Sequence, residues 1–238
     1  MEIRLNKFLA ERLGLSRREA DDAIAAGRAK INQNTAVLGA RVAEGDEVFF
    51  DGRPVEFKKQ YTYLVLNKPV GYVCSRKKQG ENDTIYSLLP EKYRSLKTVG
   101  RLDKDTCGLL LLTDDGDLAF ALTHPKFMKY KTYVAVLDRP LEPLHQQMIA
   151  DFGVDLPDGK SQLALTCLDG ETYSVPEVES PHRKIWQIGM SEGRNRQIRR
   201  TFAALGYRIV FLKRLEFDGL TLGNLKEGSF RLIPRPKN

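Results

Sequence analysis

Four consecutive leucines, Leu109 to Leu112, limit what this chain can become more than any other stretch. Closed off by Asp114, Asp115 and Gly116, a run of that length fits a strand buried on both faces or a short buried helix segment, and periodicity does not separate the two. Gly108 before it and the Asp-Gly turn after it bracket a typical strand length, so the reading is a strand. Directly upstream, Gly100 to Cys107 reads GRLDKDTC and sets Arg101 and Asp103 in a short polar segment. A carboxylate on a loop at the mouth of a buried strand suits chemistry, because the loop gives access and the strand gives rigidity. Turn chemistry alone gives the plainer reading, in which Asp103 only caps a turn.

The 238 residues are enough for one large or two modest domains with real cores. Hydrophobic residues make up 42% and charged residues 29%, so composition does not force disorder. A net charge of +7 points to a polyanionic partner, either nucleic acid or an anionic membrane surface. With no apolar stretch of spanning length and no charged-then-apolar signal region at Met1, the expectation is a cytoplasmic protein without a membrane partner. Cys74, Cys107 and Cys167 are odd in number and lack CxxC spacing, so they are expected to be buried reduced thiols rather than a disulfide framework or zinc site. His124, His145 and His182 are scattered without ligand spacing, and no metal is expected.

At the N-terminus Leu5, Phe8, Leu9 and Leu13 recur at helical spacing, with Gly14 suited to the helix end. Ser16 and Glu19 form a capping box that opens a second helix carrying Ala20, Ala23 and Ile24 before Gly27. Arg28 to Asn32 reads as a polar turn, and Glu47 to Phe50 closed by Asp51-Gly52 is a hairpin signal. Arg4, Lys7, Arg12, Arg17, Arg18, Arg28 and Lys30 occupy the polar sides. Glu11, Glu19, Asp21 and Asp22 share the stretch, so by charge alone a solvated face fits as well.

Lys58, Lys59 and Gln60 form a polar break read as a linker. Beyond it come a buried strand at Tyr63 to Leu66, a turn at Asn67 to Gly71, and a polar mobile loop from Ser75 to Asp83 that includes Lys77 and Lys78. After the leucine run, Leu118 to Thr123 is a short helix and Lys131 to Leu137, KTYVAVL, a strand with Tyr133 on one face. Pro143 begins a helix over Leu144 to Phe152, and a loop with Pro157, Asp158 and Gly159 leads to a strand at Leu163 to Leu168. Another strand, Lys184 to Met190, carries the single tryptophan, Trp186. Such an order gives a mixed sheet with helices interspersed.

From His182 to Arg214 there are nine Lys or Arg residues and one acid, Glu192, so the basic surface is concentrated there. Ile198, Phe202 and Leu205 fall at helical spacing toward a core, and Arg196 and Arg199 share a neighbouring stripe. A helix start beside Arg194, Arg196 and Arg200 also attracts phosphate.

The motif GRLD, a short spacer, then GLLLLT-DDG resembles the catalytic motif of the RsuA-type pseudouridine synthases that act on ribosomal RNA. Cys107 stands where that motif usually has Ser or Thr. LNKPVG, Leu66 to Gly71, is similar to the start of the same catalytic domain, and EGRNRQIRR to its third motif. RLNKFLAERLGLSRREADDAIAAGRAKIN resembles the small RNA-binding domain named after ribosomal protein S-four. The resemblance implies an α+β chain. A helical/β RNA-binding domain at 1–58 precedes a synthase domain at 61–238, built on a mainly antiparallel sheet with flanking helices and a central cleft. It also implies Asp103 as nucleophile, Tyr133 as the active-site tyrosine, and Arg199 pairing with Asp103. RNA contacts are implied from Arg4, Lys7, Arg17, Arg18 and Arg28, and expected from Arg101, Arg194, Arg196 and Arg200.

The implied reaction detaches uracil from the sugar at nitrogen 1, turns it and rejoins it at carbon 5. No atom is gained or lost, so no cofactor is required. The base must be flipped out of its stack at a cost of about a few kcal/mol, and an aromatic platform such as Tyr133 returns roughly 1–3 kcal/mol. An arginine grips both oxygens of a carboxylate and favours its ionised form, which a nucleophile needs. Attack on the sugar, attack on the ring and a glycal route with Tyr133 as proton acceptor all use the same residues. A monomer bound to ribosomal RNA is expected. A non-catalytic RNA-binding assembly factor is the competing class, and an Asp103/Asp105 glycosidase pair is disfavoured because residues two apart on one loop rarely flank a bond.

Overall fold

The computed structural model describes residues 2–57, 60–77, 80–168 and 183–236. Lys58 and Lys59 of the expected linker, Lys78 of the polar loop, and His182 lie outside them. The chain divides into two compact units, Met1–Thr62 with Asp114–Gly116, and Tyr63–Thr113 with Asp117–Asn238.

In the first unit β1 (Ile3–Arg4) runs into α1 (Leu5–Leu13), which ends on Gly14. The capping box forms at α2 (Arg17–Ala25): Ser16 Oγ accepts from the Glu19 N–H, and the Glu19 carboxylate accepts from the Ser16 N–H. Leu5, Phe8, Leu9, Ala20 and Ile24 bury one face of each helix against Ala29, Val42 and Val48. The polar turn expected over Arg28 to Asn32 is instead the strand β2 (Ala29–Ile31), hairpinned to β3 (Asn34–Thr35) through Asn32 and Gln33, both at positive φ. Only Ala29 of this short strand is fully buried, so it left no alternation to read. β4 (Arg41–Val42) pairs with β1, while β5 (Val48–Phe50) and β6 (Arg53–Pro54) flank the expected Asp51-Gly52 turn. The larger sheet has the order β3-β2-β5-β6.

The second unit is built on one mixed sheet. In chain order its elements are β7 (Tyr63–Lys68), β8 (Lys97–Thr98), β9 (Cys107–Thr113), α3 (Gly116–Thr123), β10 (Lys131–Leu137) and α4 (Pro143–Gln147). Then come β11 (Val154–Leu156), β12 (Gly159–Ser161), β13 (Ala164–Cys167), β14 (Ile185–Met190), α5 (Gln197–Ala204), β15 (Ile209–Phe217), β16 (Leu220–Thr221) and β17 (Phe230–Leu232). The sheet order is β13-β14-β10-β15-β9-β7-β17, with β16 on β15 and β8 on β9. Pairing within it is antiparallel except where β15 lies parallel to β9, at Lys213 with Cys107 and Arg214 with Gly108. The α+β class and the mainly antiparallel sheet are as expected.

All four leucines of the run are fully buried in β9, and strand is the correct choice. Gly108 belongs to that strand rather than preceding it. Its φ is 106°, and a Cβ there would sit 2.2 Å from the Arg214 carbonyl oxygen, so only glycine lets β15 come this close. The helix after Pro143 begins as α4 and continues as a π-helical turn over Met148–Phe152. Pro157 and Asp158, expected in a loop, form the turn of the β11–β12 hairpin. Of the three cysteines only Cys107 is buried; Cys74 and Cys167 are half-exposed, and none of the three is in a disulfide. Ile198 and Phe202 join Leu110, Leu112, Tyr133, Trp186 and Leu212 in the principal core. No described helix is long and apolar enough to cross a membrane.

Candidate active site

Asp103 sits on the loop between β8 and β9, at the side of a cleft of about 760 Å³. The loop is fastened from below by Lys68, the last residue of β7. Its fully buried ammonium donates to the carbonyl oxygens of Asp103 (3.0 Å), Thr106 (2.8 Å) and Pro69 (3.0 Å), with Lys104 O at 3.5 Å. Burial pushes the Lys68 ammonium below the usual lysine range. The sequence placed Asn67 and Lys68 in a turn. Both instead complete a strand buried along its whole length, and the turn begins at Pro69.

Two arginines reach this loop from the start of α5. Arg196 holds Asp105 in a two-point pair, Nη1 to Oδ1 at 2.9 Å and Nη2 to Oδ2 at 2.8 Å, and its Nη1 lies 3.7 Å from Asp103 Oδ2. Arg199 donates through Nη2 to the Asp105 backbone carbonyl at 2.7 Å and through Nη1 to Ile209 O at 2.9 Å, and its Nε lies 3.2 Å from Asp105 Oδ2. The expected pair of Arg199 with Asp103 is therefore corrected. Arg199 engages Asp105, two residues further along the same loop, and Arg196 is the guanidinium that approaches Asp103. The hydrogen bonds from Arg196, reinforced by Arg199, hold the Asp105 carboxyl below the usual range against its partial burial.

Tyr133, mid-strand in β10 and 8% exposed, lines the same cleft, so Asp103, Tyr133 and Arg199 converge although far apart in sequence. Beside Tyr133 in the sheet is Arg214 of β15, which sequence reading did not single out. Arg214 is 3% exposed, donates through Nε to Leu109 O at 2.8 Å, and stacks over Phe217. Its Nη2 is buried with no hydrogen-bond partner, and the residue lines the cleft. The whole segment after Tyr207 carried no strand assignment, because Lys213, Arg214 and Glu216 interrupt its apolar pattern.

Lys131, the first residue of β10, also lines the cleft and donates to Lys129 O (2.7 Å), Glu192 O (3.2 Å) and Ser191 O (3.3 Å). Burial, with Arg214 nearby adding to it, lowers its ammonium to about 8.

The expected RNA contacts divide by what they touch. Arg4, Arg17, Arg18 and Arg28 are exposed in the first unit and Lys7 is half-buried. Arg28 is tied to Asp51 by a two-point ion pair and lies over Phe50. In the second unit Arg101 is exposed at the cleft. Arg194, by contrast, wraps the β11–β12 turn, donating to Asp158 O, Gly159 O and Lys160 O at 2.8–2.9 Å. Arg200 pairs with the Asp158 carboxylate at 2.7 and 3.0 Å. Both hold the hairpin against α5.

Residues 62–204 match the family model described as RNA pseudouridylate synthase, and residues 3–48 match the S4 domain. The chain is 36% identical to ribosomal small subunit pseudouridine synthase A of Yersinia pestis over 231 residues, 96% of this chain and 94% of that protein. It is 34% identical to ribosomal large subunit pseudouridine synthase B of Bacillus subtilis over 232 residues, 96% of this chain and 91% of that protein. A crystal structure of a pseudouridylate synthase superposes with a TM-score of 0.66 at 34% identity, covering 98% of this chain and 96% of that one.

Proposed function

Because the chain belongs to the RNA pseudouridylate synthase family, we propose that its substrate is ribosomal RNA and that Asp103 is the nucleophile that isomerises one uridine there. The observation that carries the reading is the convergence of Asp103, Tyr133 and an arginine pair on one cleft. About 760 Å³ is room for a nucleotide taken out of its stack. Tyr133 supplies an aromatic face to the flipped uracil, or accepts a sugar proton on the glycal route. Asp103, 35% exposed in its side chain, is accessible to the incoming nucleotide while its backbone is fixed by Lys68.

The arginines act on this carboxylate together. Arg196 sets its guanidinium nearest Asp103, Nη1 at 3.7 Å from Oδ2, and so orients the carboxylate toward the cleft. Arg199 keeps Asp105 engaged, so the loop stays in one position as charge develops. The unpartnered Nη2 of Arg214 offers a donor to a phosphate or a uracil oxygen at the floor of the cleft. The exposed cations of the first unit, Arg4, Arg17 and Arg18, bind RNA backbone, and a ribosomal RNA substrate is supported by two relatives named as pseudouridine synthases of the ribosomal small and large subunits.

The test is tritium release from ribosomal RNA labelled at carbon 5 of uracil, since forming the new carbon–carbon bond expels that hydrogen. Wild type releases tritium and Asp103→Asn does not, while both bind the RNA alike. Release by Asp103→Asn at the wild-type rate would remove the nucleophile assignment.

A further inference from the structure

Beside the cleft, the segment from Phe120 to Tyr130 carries large apolar side chains that no core explains. Among the described residues four aromatic side chains stand in the exposed class, and three of them, Phe120 (52%), Phe127 (42%) and Tyr130 (46%), come from this one segment. Single exposed apolar residues are ordinary, but such a cluster marks an interaction surface.

The cluster is ordered. His124 packs between Phe120 and Phe127, with ring centroids 4.7 and 6.2 Å away, and the two phenylalanines meet edge to face at 6.2 Å. Lys126 sets its ammonium 4.6 Å from the centre of the Phe127 ring and 5.8 Å from that of Phe120. The Lys126 N–H donates to His124 Nδ1 at 3.3 Å, which fixes the imidazole within the group. His124, Met128 and Lys129 also line the cleft that holds Asp103, so the aromatic ledge continues the wall of the site.

From this we propose that the ledge of Phe120, His124 and Phe127 binds an unpaired nucleobase of the RNA, a neighbour of the uridine in the cleft, by stacking. The inference rests on the RNA-substrate reading above. Aromatic faces interleaved with cations are the chemistry of single-stranded nucleic acid binding: rings take the bases and ammonium groups take the phosphates. A flipped uridine also needs a departure from regular pairing around it, which leaves neighbouring bases with one face uncovered. Lys126 then has two tasks, holding the Phe127 ring from one side and reaching the RNA backbone. A protein partner is the other occupant an apolar surface could take, and the test separates the two.

Phe127→Trp turns the ledge into its own reporter, because the native Trp186 is fully buried. The probes are a short oligouridylate and an abasic ribose–phosphate strand of equal length and charge. Oligouridylate should quench the new tryptophan and the abasic strand should not. The Phe120→Ala, Phe127→Ala double variant should lose about 5- to 150-fold in oligouridylate affinity per stacked base, and nothing for the abasic strand. Phe127→Tyr, which keeps the ring, should bind like wild type. On ribosomal RNA the double variant should raise KM and leave kcat nearly unchanged. Quenching by both strands, quenching by neither, or equal loss of affinity for both would overturn the ledge. Absence of tritium release from the wild type would instead count against the isomerase reading, and base-dependent quenching would still stand or fall by itself.

Discussion

Replacing Lys68 by methionine keeps the length and apolar stem of the side chain and removes only its ammonium. Three carbonyl oxygens, those of Pro69, Asp103 and Thr106, then lose a donor held at 2.8–3.0 Å. Hydrogen bonds to a charged group contribute about 1.5–3 kcal/mol each, and burying the ammonium takes several kcal/mol back, as its lowered protonation range reports. The variant removes both terms, and what it leaves is unpaired carbonyls at roughly 1–3 kcal/mol apiece, partly relieved where water enters. We expect a net loss of about 3–5 kcal/mol, against a typical total stability of roughly 5–15 kcal/mol. Urea unfolding followed by the fluorescence of buried Trp186 measures this directly. Two of the orphaned carbonyls flank the Asp103 side chain's own loop, so kcat for tritium release should fall well before KM rises. A variant within about 1 kcal/mol of wild type, with unchanged kcat, would refute the view that this ammonium positions the loop.

Gly108→Ala drives a methyl group into the Arg214 backbone at a φ of 106°, and should cost about 2–5 kcal/mol and most of the activity; urea midpoints and tritium release check both. For Lys131, below about pH 8 the folded and unfolded chains both hold the proton, whereas between about 8 and 10.5 only the unfolded chain does. Unfolding then takes up a proton, so this residue's contribution to stability rises with pH across that window. Lys131→Met should flatten the rise in urea midpoint relative to wild type over the same range, and an unchanged slope would contradict the assignment.

Local chemistry made much of the fold legible. The capping box at Ser16, the leucine run of β9 and the alternation of KTYVAVL depend on neighbours in sequence, and each led to the right element. What stayed hidden depended on residues far away. Lys68 looks like part of a polar turn until the loop that needs its ammonium folds over it, 35 to 38 positions later. β15 reads as interrupted because its charges find partners on distant strands, Arg214 on β9 more than a hundred residues upstream and Glu216 at Thr132 of β10. The resemblance brought Arg199 to the right loop but to the wrong carboxylate, since Asp105 is a pairing partner only once Arg196 and Arg199 arrive from α5. Arg194 and Arg200, grouped by charge with the RNA contacts, answer to Asp158 and its hairpin turn.

The position of β15 sets the order in which this catalyst can come into being. It is the last long strand in the chain, yet it occupies the middle of the sheet, with β10 on one side and β9 on the other. Until it inserts, the sheet is two separate ribbons: β9 with β7 leads out of the Asp103 loop, and β10 with β14 carries Tyr133. Closing them spans more than a hundred residues, so Asp103 and Tyr133 meet late, after slow non-local pairing. A nascent chain still lacking residues 209–217 has both chemical groups and no active site. Under the function proposed above, the chain is therefore inert until residues 209–217 have paired.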